Sequence, residues 1–141
     1  MPEFERIRAY LDANVLFSAS YSERNRFLQF WRMENVTPVT SSYAIGEVRC
    51  HLIRPGHAAR LDALLCNTEI VSDVDLRFVP SHIQTVEKDK PILAAAIGAS
   101  IDYLVTGDRN HFSHLYNKVV AHVYVISPTE FLDRYFDRLI D

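Results

Sequence analysis

The feature that most limits the fold of this chain is a regular alternation of short strand-like runs and longer segments of helical character. Ile7–Leu11, Val36–Thr40, Glu69–Ser72, Tyr103–Thr106 and Val123–Ile126 are each four or five residues long and read as strands. Between them, the spacing of apolar residues predicts helices. One runs over about Ser22–Met33, where Phe27, Phe30 and Trp31 fall at i, i+3 and i+4. A second runs over Tyr43–Ile53, opened by Ser41-Ser42 as a cap and stopped by Pro55-Gly56. His57–Leu65 and the alanine-rich Pro91–Ser100 follow, with Pro91 tolerated in the first turn. Asp73–Lys88 reads as turns with one short helix. The last helix is the clearest: Ser127-Pro128-Thr129-Glu130 fits a capping box, and Phe131, Leu132, Tyr135, Phe136, Leu139 and Ile140 repeat at helical spacing. Strands separated by helices imply parallel pairing, with helices covering both faces of one sheet.

Composition agrees with one such domain spanning residues 1–141. Of the 141 residues 48% are hydrophobic and 23% charged, enough to bury a core and unlike a disordered chain. The net charge of −3 and pI near 6.0 argue against a protein that coats nucleic acid through bulk charge. They leave a nuclease open, because metal-binding acids themselves lower the charge. Arg24, Arg26 and Arg32, and then Arg49, His51 and Arg54, form local basic groups that read as solvated helix faces. Cys50 and Cys66 form no C-x-x-C pair, so neither a disulfide framework nor a zinc ribbon is expected; both read as small core residues. Met1 to Arg8 is rich in charge, and no apolar run reaches the roughly 18 residues of a membrane span. The expectation is a reduced, cytoplasmic protein.

Four acids stand out by their position relative to these elements. Asp12 ends the first strand in Leu11-Asp12-Ala13-Asn14, and Asp108 follows a later one in Val105-Thr106-Gly107-Asp108. Asp89 directly precedes the alanine-rich helix, and Glu47 lies about one turn into the helix after the second strand. Ligands in open α/β sheets bind at the carboxyl ends of the strands, the edge these acids share. Each alone reads as well as a cap, a turn residue or a solvated helix position; the weight is in the set. Converging carboxylates repel unless a cation joins them. Oxygen ligands select a hard ion such as Mg²⁺ or Mn²⁺, and such an ion suits phosphodiester hydrolysis.

Other chemistries find less support. His111 and His114 are spaced as one helical turn but read as a loop or short-helix pair near the site mouth. No H-E-x-x-H, G-x-S-x-G or phosphate-cradling glycine loop is present. Phe27, Phe30 and Trp31 read as core or a dimer contact rather than a base-stacking platform.

These motifs resemble the PIN-domain family over most of the chain. Leu11-Asp12-Ala13-Asn14-Val15-Leu16 looks like its first acidic motif, and Lys88-Asp89-Lys90-Pro91-Ile92-Leu93-Ala94-Ala95-Ala96 like its third. Ala99 to Asp108 resembles its strand and fourth acid, and Glu47 falls where the family places its helical acid. The resemblance implies an α/β fold: a three-layer α/β/α domain with a central parallel sheet in the order 3-2-1-4-5. It implies a divalent-metal-dependent endoribonuclease using Mg²⁺ or Mn²⁺, of the VapC kind found as toxins of toxin–antitoxin pairs. Asp12, Glu47, Asp89 and Asp108 would be the catalytic, metal-holding acids, with Asn14 and Thr106 in support. An RNA substrate, an antitoxin protein and a homodimer are the implied partners. Where some relatives carry a further acid after the last motif, this chain has Asn110 and His111. The alternatives are a catalytically silent PIN-like module that binds RNA or protein, and a DNA or flap nuclease.

Overall fold

The computed structural model describes residues 6–72, 79 and 90–140, the last four by backbone alone. Its elements follow the chain as β1 (Ile7–Leu11), α1 (Ala13–Tyr21), a 3₁₀ turn (Arg26–Trp31), β2 (Val36–Ser41), α2 (Ser42–Arg49), α3 (His57–Leu65) and β3 (Glu69–Val71). They continue with α4 (Lys90–Gly98), β4 (Tyr103–Val105), α5 (Arg109–Phe112), a second 3₁₀ turn (Ser113–Leu115), β5 (Val119–Val120), β6 (Val123–Ile126) and α6 (Pro128–Ile140).

The sheet order is β3-β2-β1-β4-β6-β5. Every pair is parallel except the outermost, β5 with β6. The expected order of five parallel strands is therefore present, with β6 as its fifth member. The addition is the two-residue β5, which turns back at Ala121 in the left-handed region (φ 57°) and pairs Val120 with Val123. Nothing in Val119-Val120 alone distinguishes that edge strand from a loop.

β1 is the central strand: Ala9 and Tyr10 each pair on both sides, with Pro38 and Tyr103, and with Val39 and Leu104. A strand covered on both faces must be apolar throughout, and Ala9, Tyr10 and Leu11 are fully buried. α4 is apolar almost all round, and Ile92 to Ala96 are fully buried with it. α6 docks on the sheet through Phe131, whose ring lies 5.4 Å from Phe30 and 5.2 Å from Tyr103. Its start is capped as expected, Ser127 Oγ accepting from Glu130 N at 3.2 Å.

Several expectations need correction. The helix after β1 begins at once, at Ala13, and Ser22–Met33 holds a 3₁₀ turn instead of a long α-helix. The polar run Ser22 to Asn25 breaks the path: Asn25 Oδ1 accepts from Phe27 N, while its amide donates to Ala19 O. α2 stops at Arg49 rather than Ile53, with Cys50 as its C-cap donating to Gly46 O. Ile53 is left 74% exposed. Cys50 and Cys66 are exposed and follow the last turns of α2 and α3, so they are not core residues. Phe30 is core; Trp31 is half-buried and donates through Nε1 to Thr68 Oγ1. The reading of Asp73–Lys88 as turns falls almost wholly outside the described residues. Among the described residues no helix is long and apolar enough to cross a membrane.

Candidate functional site

Parallel strands deliver their carboxyl ends to one edge. There, β1 hands over to Asp12 and β4 to Thr106, Gly107 and Asp108. Two further backbone bonds carry the ladder past the strand ends, Asp12 N to Val105 O and Thr106 N to Ile126 O, each 3.0 Å. The two acidic segments are thus fixed by the sheet itself.

Asp12 is 4% exposed and serves as the N-cap of α1. Its Oδ1 accepts from Ala13 N at 2.7 Å; its Oδ2 accepts from Thr106 Oγ1 at 2.8 Å and from Asn14 Nδ2 at 3.4 Å. Thr106 Oγ1 in turn accepts from Asn14 Nδ2 and Asp108 N, at 3.3 and 3.2 Å. Asn14 Oδ1 closes the circuit by accepting from Gly107 N at 2.7 Å. A Cβ on Gly107 would sit 3.2 Å from that same oxygen, so the small residue permits the close approach. Asp108 caps α5, its Oδ1 accepting from His111 N, while His111 Nδ1 lies 2.8 Å from its Oδ2.

Glu47 reaches the same place from another direction. Ser41 caps α2, accepting from Ala44 N, and Glu47 follows about one turn later, half-buried. Asp12, Asn14, Phe17, Glu47, His51 and Asp108 line one cavity of about 600 Å³. Thr106 lies buried beneath them. Asp89 lies outside the described residues.

Two tyrosines under this edge carry no signal in the sequence. Tyr10 is fully buried and shares a 2.6 Å hydrogen bond with Ser41 Oγ. Burial raises its phenol pKa, and the nearby charges of Asp12 and Glu47 raise it further, so it stays neutral beneath the acids. Tyr116 donates to Thr106 O at 2.7 Å. Burial raises it too, with Arg109 opposing and Asp108 and Asp12 assisting. Tyr116 is far from Asp12 in sequence, and no local pattern points to it. His51 reads as a solvated helix position from sequence, because the end of α2 is not marked there.

Carboxylate oxygens are the donors a hard divalent cation takes, so Asp12, Glu47 and Asp108 suit such an ion in donor type. Among the described residues, no three His, Cys, Asp or Glu side chains are gathered closely enough to hold one.

The family model described as PIN domain matches residues 8–110, a span that includes Asp12, Glu47, Asp89 and Asp108. The chain belongs to the PIN domain family. PIN domains are generally nucleases and generally use divalent metals. Two solved structures share this PIN fold. VapBC2 from Rickettsia felis, bound to a DNA fragment from their promoter, is similar with a TM-score of 0.65 and 16% identity, covering 86% of this chain and 98% of that one. PAE2754 from Pyrobaculum aerophilum gives 0.61 and 15%, covering 94% and 97%. No curated protein matches the sequence.

Proposed function

We propose that this PIN domain is a divalent-metal-dependent endoribonuclease acting as the toxin of a toxin–antitoxin pair. The observation that carries the reading is the meeting of Asp12, Glu47 and Asp108, from three separate elements, on one cavity at the carboxyl edge of the sheet. Likeness to VapBC2 supports the toxin role, and with it an antitoxin partner. Homodimer formation belongs to the same proposal.

In this reading Asp12, Glu47 and Asp108, with Asp89 by resemblance, hold Mg²⁺ or Mn²⁺. The bound ion supplies charge neutralisation at the phosphodiester and a water of lowered pKa. The chain's own contribution is rigidity. Asp12 is fixed through both oxygens before any ligand arrives, and Thr106 and Asn14 lock its orientation to that of the Asp108 segment. Such prearrangement spares the reaction the cost of ordering its own groups. Glu47, on a helix that begins at the strand edge, is placed to hold the ion or take a proton from the attacking water. Buried Tyr10 and half-buried Tyr116 support the floor as neutral hydrogen-bonding groups.

A second reading, a PIN-like module that binds without cutting, draws on the absence of a gathered ligand triad among the described residues. One experiment separates the two. Purified protein is incubated with labelled single-stranded RNA and, in parallel, DNA, with Mg²⁺, Mn²⁺ or EDTA, beside Asp12→Asn and Asp108→Asn. RNA cleavage that needs metal and is lost in both variants is the expected result. Binding without cleavage would transfer the conclusion to the second reading, and cleavage of DNA alone would move the substrate.

A further inference from the structure

A second cavity of about 600 Å³ opens where α1 ends, lined among others by Tyr21, Glu23, Arg24, Arg54 and Arg60. Three arginines and one glutamate line it. Arg60 is fixed: its Nε donates to Ser20 O at 2.8 Å and its Nη2 to Tyr21 O at 2.7 Å, placing a cation on the negative end of α1. Gly56, at φ +82°, lets it lie close, since a Cβ there would come within 2.8 Å of Arg60 Nη1. Arg54 stacks 4.7 Å above the Tyr21 ring, a contact that orients the group and leaves its charge intact.

Three other arginines are ion-paired within the chain, Arg8 with Glu69, Arg26 with Asp133 and Arg49 with Asp62. Arg24 and Arg54 have no carboxylate partner among the described residues. The two early basic groups are largely exposed, as expected; Arg26 and Arg49 are ion-paired, and Arg24 and Arg54, in loops rather than on helices, line one cavity.

That cavity adjoins the acidic one. Phe17 lines the acidic cavity and Tyr21 the basic one; they are successive turns of α1 with rings 5.8 Å apart. Ile53 and Arg54, neighbours in the loop after α2, likewise line one cavity each. From the N-cap Asp12 to Tyr21, α1 spans about 14 Å at ~1.5 Å per residue. A polynucleotide strand covers that distance in a few nucleotides. A site built of acids repels the phosphates flanking the one it cuts, so a polyanionic substrate needs cations just beyond the acids. Guanidinium forks match phosphate geometry.

We propose that Arg24, Arg54 and Arg60 form a phosphate subsite that holds the RNA backbone a few nucleotides from the cleaved bond. This rests on the ribonuclease reading above. The test uses the whole protein, with Arg24→Gln and Arg54→Gln singly and together and Arg24→Lys/Arg54→Lys as the charge-keeping control. Affinity for a labelled 12-nucleotide single-stranded RNA is measured by anisotropy in EDTA across a salt series. Cleavage of that RNA and of a trinucleotide is measured with Mn²⁺. The double Gln variant should bind the 12-mer about tenfold more weakly, with the salt slope reduced by about 1.4, near 0.7 for each phosphate no longer neutralised. KM for the 12-mer should rise with kcat unchanged, trinucleotide cleavage should not change, and the Lys pair should restore part of the salt slope. Unchanged slope and affinity, with wild-type cleavage intact, would overturn the subsite alone. So would loss of poly-glutamate binding with RNA binding preserved, which would assign the cavity to an acidic protein segment. Wild-type protein that neither binds nor cuts RNA would remove the ribonuclease reading together with the subsite. Thermal melting matched to wild type shows that the variants fold.

Discussion

The two ends of the sheet both gather carboxylates, and they treat them in opposite ways. At the amino end, Glu69 receives a two-pronged hydrogen bond from Arg8, at 2.6 and 2.7 Å, and Asp102 accepts from Arg8 N at 2.8 Å. Those acids tie β1 to β3 and to the start of β4, and a resident guanidinium meets their charge. At the carboxyl end, Asp12 is held by neutral donors: a backbone N–H, the Thr106 hydroxyl and the Asn14 amide. These donors fix the carboxylate while it still faces a cavity shared with Glu47 and Asp108. One arrangement neutralises its carboxylates within the fold; the other leaves them facing a cavity, as the proposed metal site requires.

The same substitution made at both ends tests that contrast most severely. Asp12→Asn should lower RNA cleavage by more than about 100-fold, beyond the usual cost of losing a mere supporting partner of a metal site. Its fold should survive, because the remaining amide oxygen still accepts one bond at the helix cap. Asp102→Asn should leave cleavage at the wild-type rate. Equal loss of activity in both, at matched thermal stability, would show that the ends are not functionally distinct.

Thr106→Val asks whether the neutral clamp matters. The substitution keeps shape and removes the hydroxyl that donates to Asp12 Oδ2 and accepts from Asp108 N. Leaving those buried groups without that partner should cost about 1–3 kcal/mol. Cleavage should fall about 10–100-fold, the usual cost of losing a group that orients a metal ligand. Denaturant melts and kcat/KM on the same preparation read both numbers. A stability loss with undiminished kcat/KM at folded-protein concentration would make the clamp purely structural.

How much of the molecule is legible in its sequence depends on whether the signal is local. β1, α3 and β6 are placed to the residue, each beside its own punctuation: Asp12 after β1, Gly56 before α3 and Ser127 after β6. Asp12, Glu47 and Asp108 are picked out by strand ends and helix starts, and the sheet then brings them to one cavity. α1 is missed because Asp12-Ala13-Asn14 carries turn-forming residues, whereas the Asp12 carboxylate uses them to start a helix. β5 is missed because two residues carry no period. Tyr116 and the Arg24–Arg54–Arg60 cavity come from segments distant in sequence, so only tertiary structure joins them. Asp89, outside the described residues, keeps its place by its position before α4 in the sequence and by resemblance.

Tyr116→Phe probes the outer support of the same clamp. The phenol donates to Thr106 O at 2.7 Å, one layer removed from the acids. Its loss should cost about 0.5–1.5 kcal/mol, the ordinary net worth of one hydrogen bond. Cleavage should fall less than in Thr106→Val. A larger loss of kcat/KM than in Thr106→Val would move Tyr116 from support into the reaction.

The amino end gives the smallest effect and a pH signature of its own. The hydrogen bond from Arg8 lowers the pKa of Glu69 in the folded protein; burial opposes it, and the charge of Arg8 lowers it further. A group whose folded pKa is depressed contributes stability above its unfolded value and loses it as pH falls through the folded value. The contribution should therefore be complete at neutral pH and fade below the ordinary glutamate range, about pH 4.3. The Glu69 side chain is 41% exposed, so solvent screening limits the effect to at most ~1 kcal/mol, and less in high salt. Glu69→Gln should melt slightly lower than wild type at pH 7, and the two curves should converge toward pH 3. Cleavage at pH 7 should be unchanged. A gap in melting temperature that persists unchanged to pH 3 would mean that the pair acts through packing of its long side chains rather than through charge.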